Sequence, residues 1–267
     1  MGDNRLEIKS KEPLYAEERK LKILDLIKEN DKVSVIQLRD FFNVSGATIR
    51  NDLRELESSN LLKRTHGGAM LKNKTGFELD SQHKEGYLQA EKESIAEMAL
   101  DLVEDGDTII LDTGTTTLEL AKKLSEKRNL TVVINDIQIA RYLEEIEDIN
   151  IIFIGGAIRK KFHCTVGTLG TKMISELAVD KAFMATNGIS VKRGATTPEI
   201  SQAETKKAMI AIANKVIVLC DSSKIGRSSF AQFAEIQQVD IIITDRGIED
   251  NLRKGFESQG IEVMVAQ

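Results

Sequence analysis

Three successive stretches near the N-terminus place apolar residues every three to four positions, with polar residues between them. They are AEERKLKILDLIKEN at 16–30, SVIQLRDFF at 34–42 and VSGATIRNDLRELE at 44–57. This period is typical of helices that bury one face. The second stretch opens with a Ser-x-x-Gln capping box, and Ser45 is a good N-cap for the third. The pattern predicts three helices, with a very tight turn between the last two.

A strand pattern follows the third helix. Residues 61–70 (LLKRTHGGAM) read as strand, Gly-Gly turn, strand, and the hairpin carries Lys63 and Arg64. A tight pair of helices followed by a basic hairpin is typical of a winged helix-turn-helix, in which the second helix of the pair enters the major groove. We therefore expect a DNA-binding domain at 14–72.

The third helix separates its residues cleanly between two faces. Ile49, Leu53 and Leu56 share the side that packs inward, whereas Arg50 and Arg54 lie one turn apart on the other side. A guanidinium on that face can bind guanine or a phosphate in a major groove. For this helix alone, a solvated charged face is the alternative. The basic hairpin directly after it favours DNA binding.

The predicted DNA contacts lie on the exposed face of the third helix and on the hairpin. Asn51 can pair with adenine, and Lys63 suits a backbone phosphate. His66 either contacts phosphate or shapes the turn, and we favour the turn. The full predicted set is Ser45, Ala47, Thr48, Arg50, Asn51, Arg54, Lys63, Arg64 and His66.

From about residue 91 the chain alternates helical stretches with apolar, β-branched runs. The strand runs are DTIILD, LTVVI, INIIFIG, DKAFMAT, NKVIVLC and VDIIIT. Such alternation predicts an α/β domain with a largely parallel sheet. Residues 73–90 are polar and lack periodicity, so we expect a linker there. We assign 91–267 to effector binding and oligomerisation.

Composition narrows the class of protein. No apolar run approaches the roughly 20 residues of a membrane helix, so we expect a cytoplasmic protein without a membrane partner. Cys164 and Cys220 fit neither a disulfide framework nor a metal-ligand spacing, and His66, His83 and His163 lie in separate segments. We therefore expect neither a metal site nor a cofactor. The pair His163-Cys164 receives no role.

Charge divides unevenly along the chain. The formal net charge of the 267 residues is −5, yet residues 1–72 hold 14 Lys+Arg against 12 Asp+Glu. The remainder holds 23 against 30. A mildly basic module joined to an acidic one is expected where only the first meets phosphate groups of nucleic acid.

Small and polar residues collect where the predicted strands end. In a parallel sheet these carboxyl ends share one edge, where ligands bind. Gly114 lets the backbone approach an anion, at a helix N-terminus with its positive dipole, and no Walker motif is present. Arg159, Lys224 or Lys206 can balance a phosphate, while Asp and Asn accept sugar hydroxyls. The predicted effector contacts are Asp112, Gly114, Thr115, Thr116, Thr117, Asn135, Gly155, Gly156, Arg159, Asn187, Gly188, Lys206, Asp221, Ser222 and Lys224.

The N-terminal motifs resemble those of the DeoR family of bacterial transcription regulators. The family wording is close to "VS-x-x-TIRRDL-x-x-LE" for the recognition helix and "R-x-HGGA" for the wing. The matching positions are Val44-Ser45, Thr48-Ile49-Arg50, Asp52-Leu53, Leu56-Glu57, Arg64 and His66-Gly67-Gly68-Ala69. Asn51 departs from the pattern, since a second arginine is common there, so an operator sequence does not carry over from relatives.

The resemblance continues nearly to the end of the chain. It implies an effector domain with a fold similar to ribose-5-phosphate isomerase and a phosphosugar-type inducer. Gln202 stands where relatives often have Glu, which bears on ligand preference if the side chain contacts sugar hydroxyls.

These observations predict a repressor of a carbohydrate-utilisation operon that a phosphorylated sugar releases from double-stranded operator DNA. A single recognition helix reads few base pairs, so we expect a homo-oligomer, dimer or tetramer. We expect no catalytic residues. One alternative is a sugar-phosphate isomerase carrying a DNA module, for which Asp112, Asp221 and Glu204 supply carboxylates. Another is an activator responding to a different anionic metabolite.

Overall fold

The structure is a computed structural model, and it describes residues 14–30, 32–59, 61–71, 78 and 80–267. Contacts between residues divide the chain into two compact units, Met1–Leu79 and Asp80–Gln267. We call them the N-terminal unit and the larger unit. Within the described ranges, no helix is long and apolar enough to cross a membrane.

Three helices and a three-stranded antiparallel sheet build the N-terminal unit. In chain order the elements are α1 (Ala16–Asn30), β1 (Lys32–Ser34), α2 (Val35–Phe42), α3 (Gly46–Ser58), β2 (Leu62–Thr65) and β3 (Gly68–Leu71). The three predicted helices and the hairpin are confirmed. Strand β1 was not predicted, because three residues are too few for a periodicity to show.

The hairpin turn differs from the prediction by one residue. His66 and Gly67 form the turn, whereas Gly68 belongs to β3, where it pairs with Thr65 and with Ser34. A Cβ atom at Gly68 would lie 2.0 Å from the carbonyl oxygen of Val33. The second glycine is therefore required by the close approach of β1 and not by the turn.

The apolar stripes of the three helices meet in one core. The apolar residues at helical spacing are buried in α1 (Leu21, Leu24, Ile27), α2 (Leu38, Phe42) and α3 (Ile49, Leu53, Leu56), whereas Val35 is half-buried. The fully buried side chains of the unit include Ile23, Leu24, Ile27, Leu38, Ile49 and Leu53. Burial of this size stabilises the unit by roughly 1.5–3 kcal/mol per large side chain.

The larger unit is a parallel sheet covered by helices. Its elements are α4 (Ser81–Lys84), α5 (Gln89–Leu100), β4 (Thr108–Leu111), α6 (Thr115–Lys123), β5 (Leu130–Ile134), α7 (Ile137–Leu143), β6 (Ile149–Phe153), β7 (Ala157–Arg159), β8 (Cys164–Val166), α8 (Thr168–Ser175), β9 (Val179–Ala185), β10 (Gly188–Ser190), β11 (Gly194–Thr197), α9 (Ile200–Ala211), β12 (Ala213–Leu219), β13 (Ala231–Ala234), β14 (Ile241–Thr244), α10 (Asp250–Glu257) and β15 (Glu262–Val265). Short 3-10 helices lie at Leu124–Glu126, Ser222–Lys224 and Ile236–Gln238.

The main sheet has seven strands in the order β15-β14-β12-β9-β4-β5-β6, and every pairing in it is parallel. The predicted α/β class and the six predicted strands are confirmed. Two smaller sheets, β7-β8 and β10-β11-β13, join strands of three or four residues. These short strands escaped the prediction, as did the edge strand β15.

Apolar side chains on the two faces of the sheet enter two separate cores. Along β4, Ile109 and Leu111 join the core that contains α5 and α6, whereas Ile110 joins the core that contains α8 and α9. Successive side chains of a strand point to opposite faces. Strands buried on both faces explain why the sequence shows continuous β-branched runs instead of alternation.

The order of the strands creates a switch point between β4 and β9. From β4 the chain continues to β5 and β6 on one side, whereas β9 leads to β12 and β14 on the other. Crevices at the carboxyl ends of two such strands are the usual ligand sites of open parallel sheets. We call this one the switch crevice.

The predicted linker at 73–90 falls into two parts. Residues 73–77 and 79 lie outside the described residues. The second part contains α4, and the Ser81 N–H donates to the Lys161 carbonyl oxygen at 3.1 Å. Residues from Asp80 onward therefore belong to the larger unit.

Candidate functional site

Helix α3 begins with a side-chain cap and presents polar residues to solvent. Ser45 Oγ accepts a hydrogen bond from the Thr48 N–H at 3.0 Å, so these two predicted DNA contacts also start the helix. Arg54 donates to Asn51 Oδ1 at 3.0 Å. Ala47, Arg50, Asn51 and Arg54 are all exposed. The face predicted to enter a groove is thus unobstructed within its own unit.

The wing, which comprises β2, β3 and their turn, is fixed to α3 by one carboxylate. Glu57 accepts from the Arg64 N–H at 3.0 Å and from Arg64 Nε at 2.8 Å. The hydrogen bond from the Arg64 backbone, together with its side chain, lowers the pKa of Glu57. Lys63 and His66 are exposed. A cleft of about 340 Å³ between α3 and the wing is lined by Arg50, Arg64 and His66 among others.

A buried ion pair that the sequence analysis missed holds α1 against α3. Arg19 Nε lies 2.6 Å from Asp52 Oδ2, and Arg19 Nη2 lies 3.1 Å from Oδ1. The hydrogen bond with Asp52 raises the pKa of Arg19. A signal was present, because Asp52 lies three residues after Ile49 and four before Leu56 and therefore on the buried stripe.

The floor of the switch crevice is a buried carboxylate neutralised by a buried lysine. Asp112, directly after β4, is fully buried, and its Oδ2 pairs with the Lys206 ammonium and accepts from the Ala185 N–H. Burial raises the pKa of Asp112, and the charge of Lys206 acts against that shift. Lys206 was predicted to balance a phosphate. Instead it is 2% exposed and is committed to Asp112 and the Ala185 carbonyl oxygen.

Two acceptors in the crevice have no donor. Asp112 Oδ1 and Asn135 Oδ1 are buried without a hydrogen-bond partner among the described residues. They follow Leu111 and Ile134, which are paired across β4 and β5, so the two side chains leave adjacent strands at the same level. Each unpaired buried group costs roughly 1–3 kcal/mol. Hydroxyl donors from a ligand can recover that cost.

Helix α6 begins at the crevice without a side-chain cap. Gly114 is the N-cap, and a Cβ atom there would lie 2.8 Å from the Ala185 Cβ. Thr116 and Thr117 are buried, and Thr117 Oγ1 donates to the Gly114 carbonyl oxygen at 2.9 Å. The Thr117 hydroxyl is therefore already used inside α6, and the backbone amides of the first turn lack acceptors within the helix. Thr115 lines a cleft of about 780 Å³ beside α7.

A set of hydrogen bonds links side chains near the start of α9. Arg159 Nη1 donates to Gln202 Oε1 at 3.1 Å, and its guanidinium carbon lies 3.6 Å from the centre of the Phe162 ring. Thr197 Oγ1 is 2.9 Å from Gln202 Oε1 and 3.1 Å from Asn187 Oδ1. Arg159 and Asn187, two of the predicted effector contacts, are thus linked through Gln202 and Thr197.

Two of the predicted glycines lie where another part of the backbone comes too close for a side chain. A Cβ atom at Gly156 would lie 2.7 Å from the Val166 carbonyl oxygen, and one at Gly188 would lie 2.9 Å from that of Arg227. A Cβ atom at Gly155 would meet nothing within 4 Å. Close approach to the backbone of β8 at Gly156 and of the loop before β13 at Gly188 therefore explains these two glycines without a ligand.

The loop after β12 forms a second charged group, in which Lys92 is the member that the sequence analysis missed. Lys224 Nζ lies 2.9 Å from Asp221 Oδ2, and Ser222 hydrogen-bonds to Asp245 through its N–H and its hydroxyl. Lys92 on α5 is 3% exposed, and burial followed by repulsion from Lys224 lowers its pKa to about 8. Lys92 precedes the buried Ile95 by three residues, a spacing that marks it as inward-facing.

Cys164 and Cys220 are both buried and free. Burial raises the pKa of Cys164 to about 11 and that of Cys220 to about 12, so both thiols stay protonated near neutral pH. Among the described residues, no group of His, Cys, Asp and Glu has the arrangement of a metal site. The side chain of His83 lies outside the described residues.

Comparison with known proteins covers both units. Residues 19–75 match a DeoR-like helix-turn-helix domain, and residues 88–246 match a DeoR C-terminal sensor domain. The chain is 36% identical over 247 residues to the HTH-type transcriptional regulator GlpR of Haloferax volcanii, covering 92% of this chain and 96% of that protein. It is 35% identical over 248 residues to the transcriptional repressor AccR of Agrobacterium fabrum, covering 90% and 96%.

Among solved structures, ribose 5-phosphate isomerase A of Methanocaldococcus jannaschii matches 51% of this chain and 54% of its own, with 19% identity and a TM-score of 0.38. The matches to the two domain families and to the relatives extend over most of the chain. They confirm the resemblance predicted from the recognition helix and the wing. This chain belongs to the DeoR family of HTH-type transcriptional regulators.

Proposed function

We propose that this regulator is a repressor whose N-terminal unit binds operator DNA and whose larger unit binds a phosphorylated sugar or polyol that weakens DNA binding. The proposed DNA-binding domain is 14–72, and the proposed sensor is 91–267, with residues 80–90 packed onto it. The observation that carries the effector proposal is the pair of buried acceptors, Asp112 Oδ1 and Asn135 Oδ1, that lack donors.

For DNA, the proposed contacts are the exposed face of α3 and the wing. Arg50 and Arg54 are placed for base edges or phosphates in a major groove, and Lys63 for a phosphate beside it. Glu57 fixes the distance between helix and wing through Arg64. The relative AccR is named a transcriptional repressor, which supports the proposed sign of regulation.

For the effector, hydroxyl groups would donate to Asp112 and Asn135, which accept but lack donors. The phosphate would bind at the amides that begin α6, with Lys92 and Lys224 as counter-charges. The lowered pKa of Lys92, caused first by burial and then by repulsion from Lys224, supports this placement. An anion beside Lys92 would favour its charged form.

We propose that the larger unit performs no catalysis. Sugar isomerisation needs a base free to reach a substrate carbon. Of the three carboxylates considered, Asp112 is paired with Lys206, Asp221 holds Ser223 and Lys224, and Glu204 is exposed on α9. Incubation with ribose 5-phosphate, followed by NMR, tests this directly, since appearance of the ketose would favour the enzyme alternative.

We also propose a symmetric homo-oligomer, dimer or tetramer, because one recognition helix reads too few base pairs for specificity in a genome. Light scattering of the full chain, alone and with selected DNA, measures this. A monomer under both conditions at micromolar concentration contradicts it.

The decisive experiment is a thermal-shift screen of sugar phosphates beside their unphosphorylated sugars and inorganic phosphate. A ligand at 100 times its dissociation constant stabilises the native state by about 2.7 kcal/mol. We expect a phosphorylated compound to exceed its free sugar, and Lys92→Met to lose that difference. Lys172→Met on α8 is the control, because Lys172 is exposed. If no phosphorylated compound raises the unfolding temperature, the effector proposal is wrong.

A further inference from the structure

The tip of the β7–β8 hairpin, Lys160–His163, has an unusual backbone. Lys161 has φ 71° and His163 has φ 57°, so two of its four residues are in the left-handed region. Residues other than glycine populate that region sparsely and stay there only where surrounding contacts hold them. The hairpin tip is held by contacts toward the switch crevice on one side and toward α4 on the other.

Toward the switch crevice, the hairpin tip contacts two residues. Thr113, the neighbour of Asp112, directs its hydroxyl at Asp136 Oδ2 (2.5 Å) and at the Phe162 carbonyl oxygen (3.4 Å). The guanidinium of Arg159 stacks on the Phe162 ring at 3.6 Å. A ligand that moves either Thr113 or Arg159 therefore acts on Phe162.

Toward the start of the larger unit, the same tip contacts α4. The Lys161 carbonyl oxygen accepts from the Ser81 N–H at 3.1 Å, and Lys84 Nζ lies 5.7 Å from the centre of the Phe162 ring. Lys84 is tied further into the unit, since its carbonyl oxygen accepts from Lys92 Nζ at 2.6 Å. Helix α4 begins two residues after Leu79, where the N-terminal unit ends.

We infer that the hairpin tip is a relay that transmits the state of the switch crevice to α4, through Thr113 and Arg159 on one side and Ser81 and Lys84 on the other. The inference rests on the proposed function, for which it supplies the regulatory path. Coupling of this kind requires that one element contacts both sites and that a change at one alters the contacts at the other. Phe162 and Lys161 meet the first requirement.

The second requirement is testable in the full chain without ligand or DNA. Thr113→Val keeps the shape of the side chain and removes the hydroxyl. Hydrogen exchange followed by mass spectrometry should show the amides of Ser81 and Glu85 exchanging at least five-fold faster than in the wild type. Thr113→Ser keeps the hydroxyl and should match the wild type. Thr205→Val, which removes a hydroxyl bond to the Ser201 carbonyl oxygen inside α9, is the matched control and should leave these amides unchanged.

Phe162→Leu tests whether the path runs through the ring. In that background Thr113→Val should add no further acceleration, because residues in one path are not additive. Equal effects of Thr113→Val and Thr205→Val, or a full Thr113→Val effect in the Phe162→Leu background, overturn the relay. Should Thr113→Val fail to fold, Phe162→Leu alone decides, since unchanged exchange at Ser81 overturns it as well. The effector proposal fails separately, when no sugar phosphate shifts the unfolding temperature.

Discussion

The guanidinium of Arg19 on α1 donates two hydrogen bonds to the carboxylate of Asp52 on α3, at 2.6 and 3.1 Å. Both side chains are almost fully buried, at 10% and 7% exposed. The pair lies on the face of α3 opposite to Arg50 and Arg54, so it sets how the recognition helix is held while leaving the groove face open. Lys20 adds a partly exposed bridge from α1 to Glu55.

Removing one member of the Arg19–Asp52 pair should strongly lower the stability of the N-terminal unit. Asp52→Asn leaves the Arg19 charge buried without its counter-charge, and breaking such a pair typically costs about 3–5 kcal/mol. Urea denaturation of the full chain, read at a signal from the N-terminal unit, measures the loss. The control is Asp40→Asn, because Asp40 pairs with Arg39 at the surface, where such pairs contribute at most about 1 kcal/mol. Equal losses in the two variants would contradict the role given to the Arg19–Asp52 pair.

Arg50→Ala should weaken binding to a selected DNA site while leaving the fold intact. Arg50 is exposed on α3, and loss of a base contact costs roughly 1–3 kcal/mol and relaxes specificity at that position. Lys63→Ala, by contrast, should weaken all DNA and reduce the salt slope by about one. Gel shifts at several salt concentrations separate these effects. Arg253→Ala, a surface arginine paired with Glu257 on α10, serves as control. Unaltered affinity in an Arg50→Ala, Arg54→Ala variant refutes the interface.

Lys92→Met should stabilise the larger unit in the absence of ligand. Burial lowers the pKa of Lys92 from 10.5 to about 8 in the folded state, so the folded protein opposes the charged form that the unfolded chain carries. At pH 7 this amounts to roughly 3 kcal/mol of lost stability. Methionine keeps the length of the side chain and removes the charge. Lys122→Met, on exposed Lys122 of α6, is the control and should change stability little.

The contribution of Lys92 to the stability of the folded protein should increase as the pH rises. Between pH 8 and 10.5 the unfolded chain binds more protons at Lys92 than the folded chain, so the contribution of this residue to stability rises with pH across that window. Below pH 8 both states are protonated and the penalty is constant. Thermal unfolding from pH 7 to 10 should therefore favour the wild type increasingly relative to Lys92→Met. A gap between the two proteins that does not vary with pH would show that Lys92 is not desolvated.

Gly114→Ala should damage the switch crevice, because its Cβ atom would lie 2.8 Å from that of Ala185 and 3.3 Å from Thr117 Oγ1. Strand β9 and helix α6 would have to separate, at a cost of about 1–3 kcal/mol. Gly155→Ala is the matched control at the same edge of the sheet, since its Cβ atom meets nothing within 4 Å. Calorimetric unfolding of both variants measures the difference. Equal stability would mean that the two strand ends are not in close contact.

Local patterns along the chain determined most of the architecture. Helices α1 to α3 and the exposed arginine face of α3 follow from the spacing of apolar residues, and six of the seven strands of the main sheet follow from continuous apolar, β-branched runs. These signals are sufficient because each helix repeats its period over at least two turns and each of the six runs stands out from its polar surroundings. Strands of three residues, such as β1, β7 and β10, are too short to show either signal.

The partners of buried polar side chains were decided only by the tertiary structure. Lys206 carries the positive charge expected of a phosphate ligand, yet it neutralises Asp112, which is 94 residues away in sequence. Arg19 and Asp52 are 33 residues apart. The charges of Asp221 and Lys224 act on the pKa of Lys92 from a distant part of the sequence. Periodicity identifies which side chains turn inward. It cannot identify what each one meets there, because that depends on how distant elements pack.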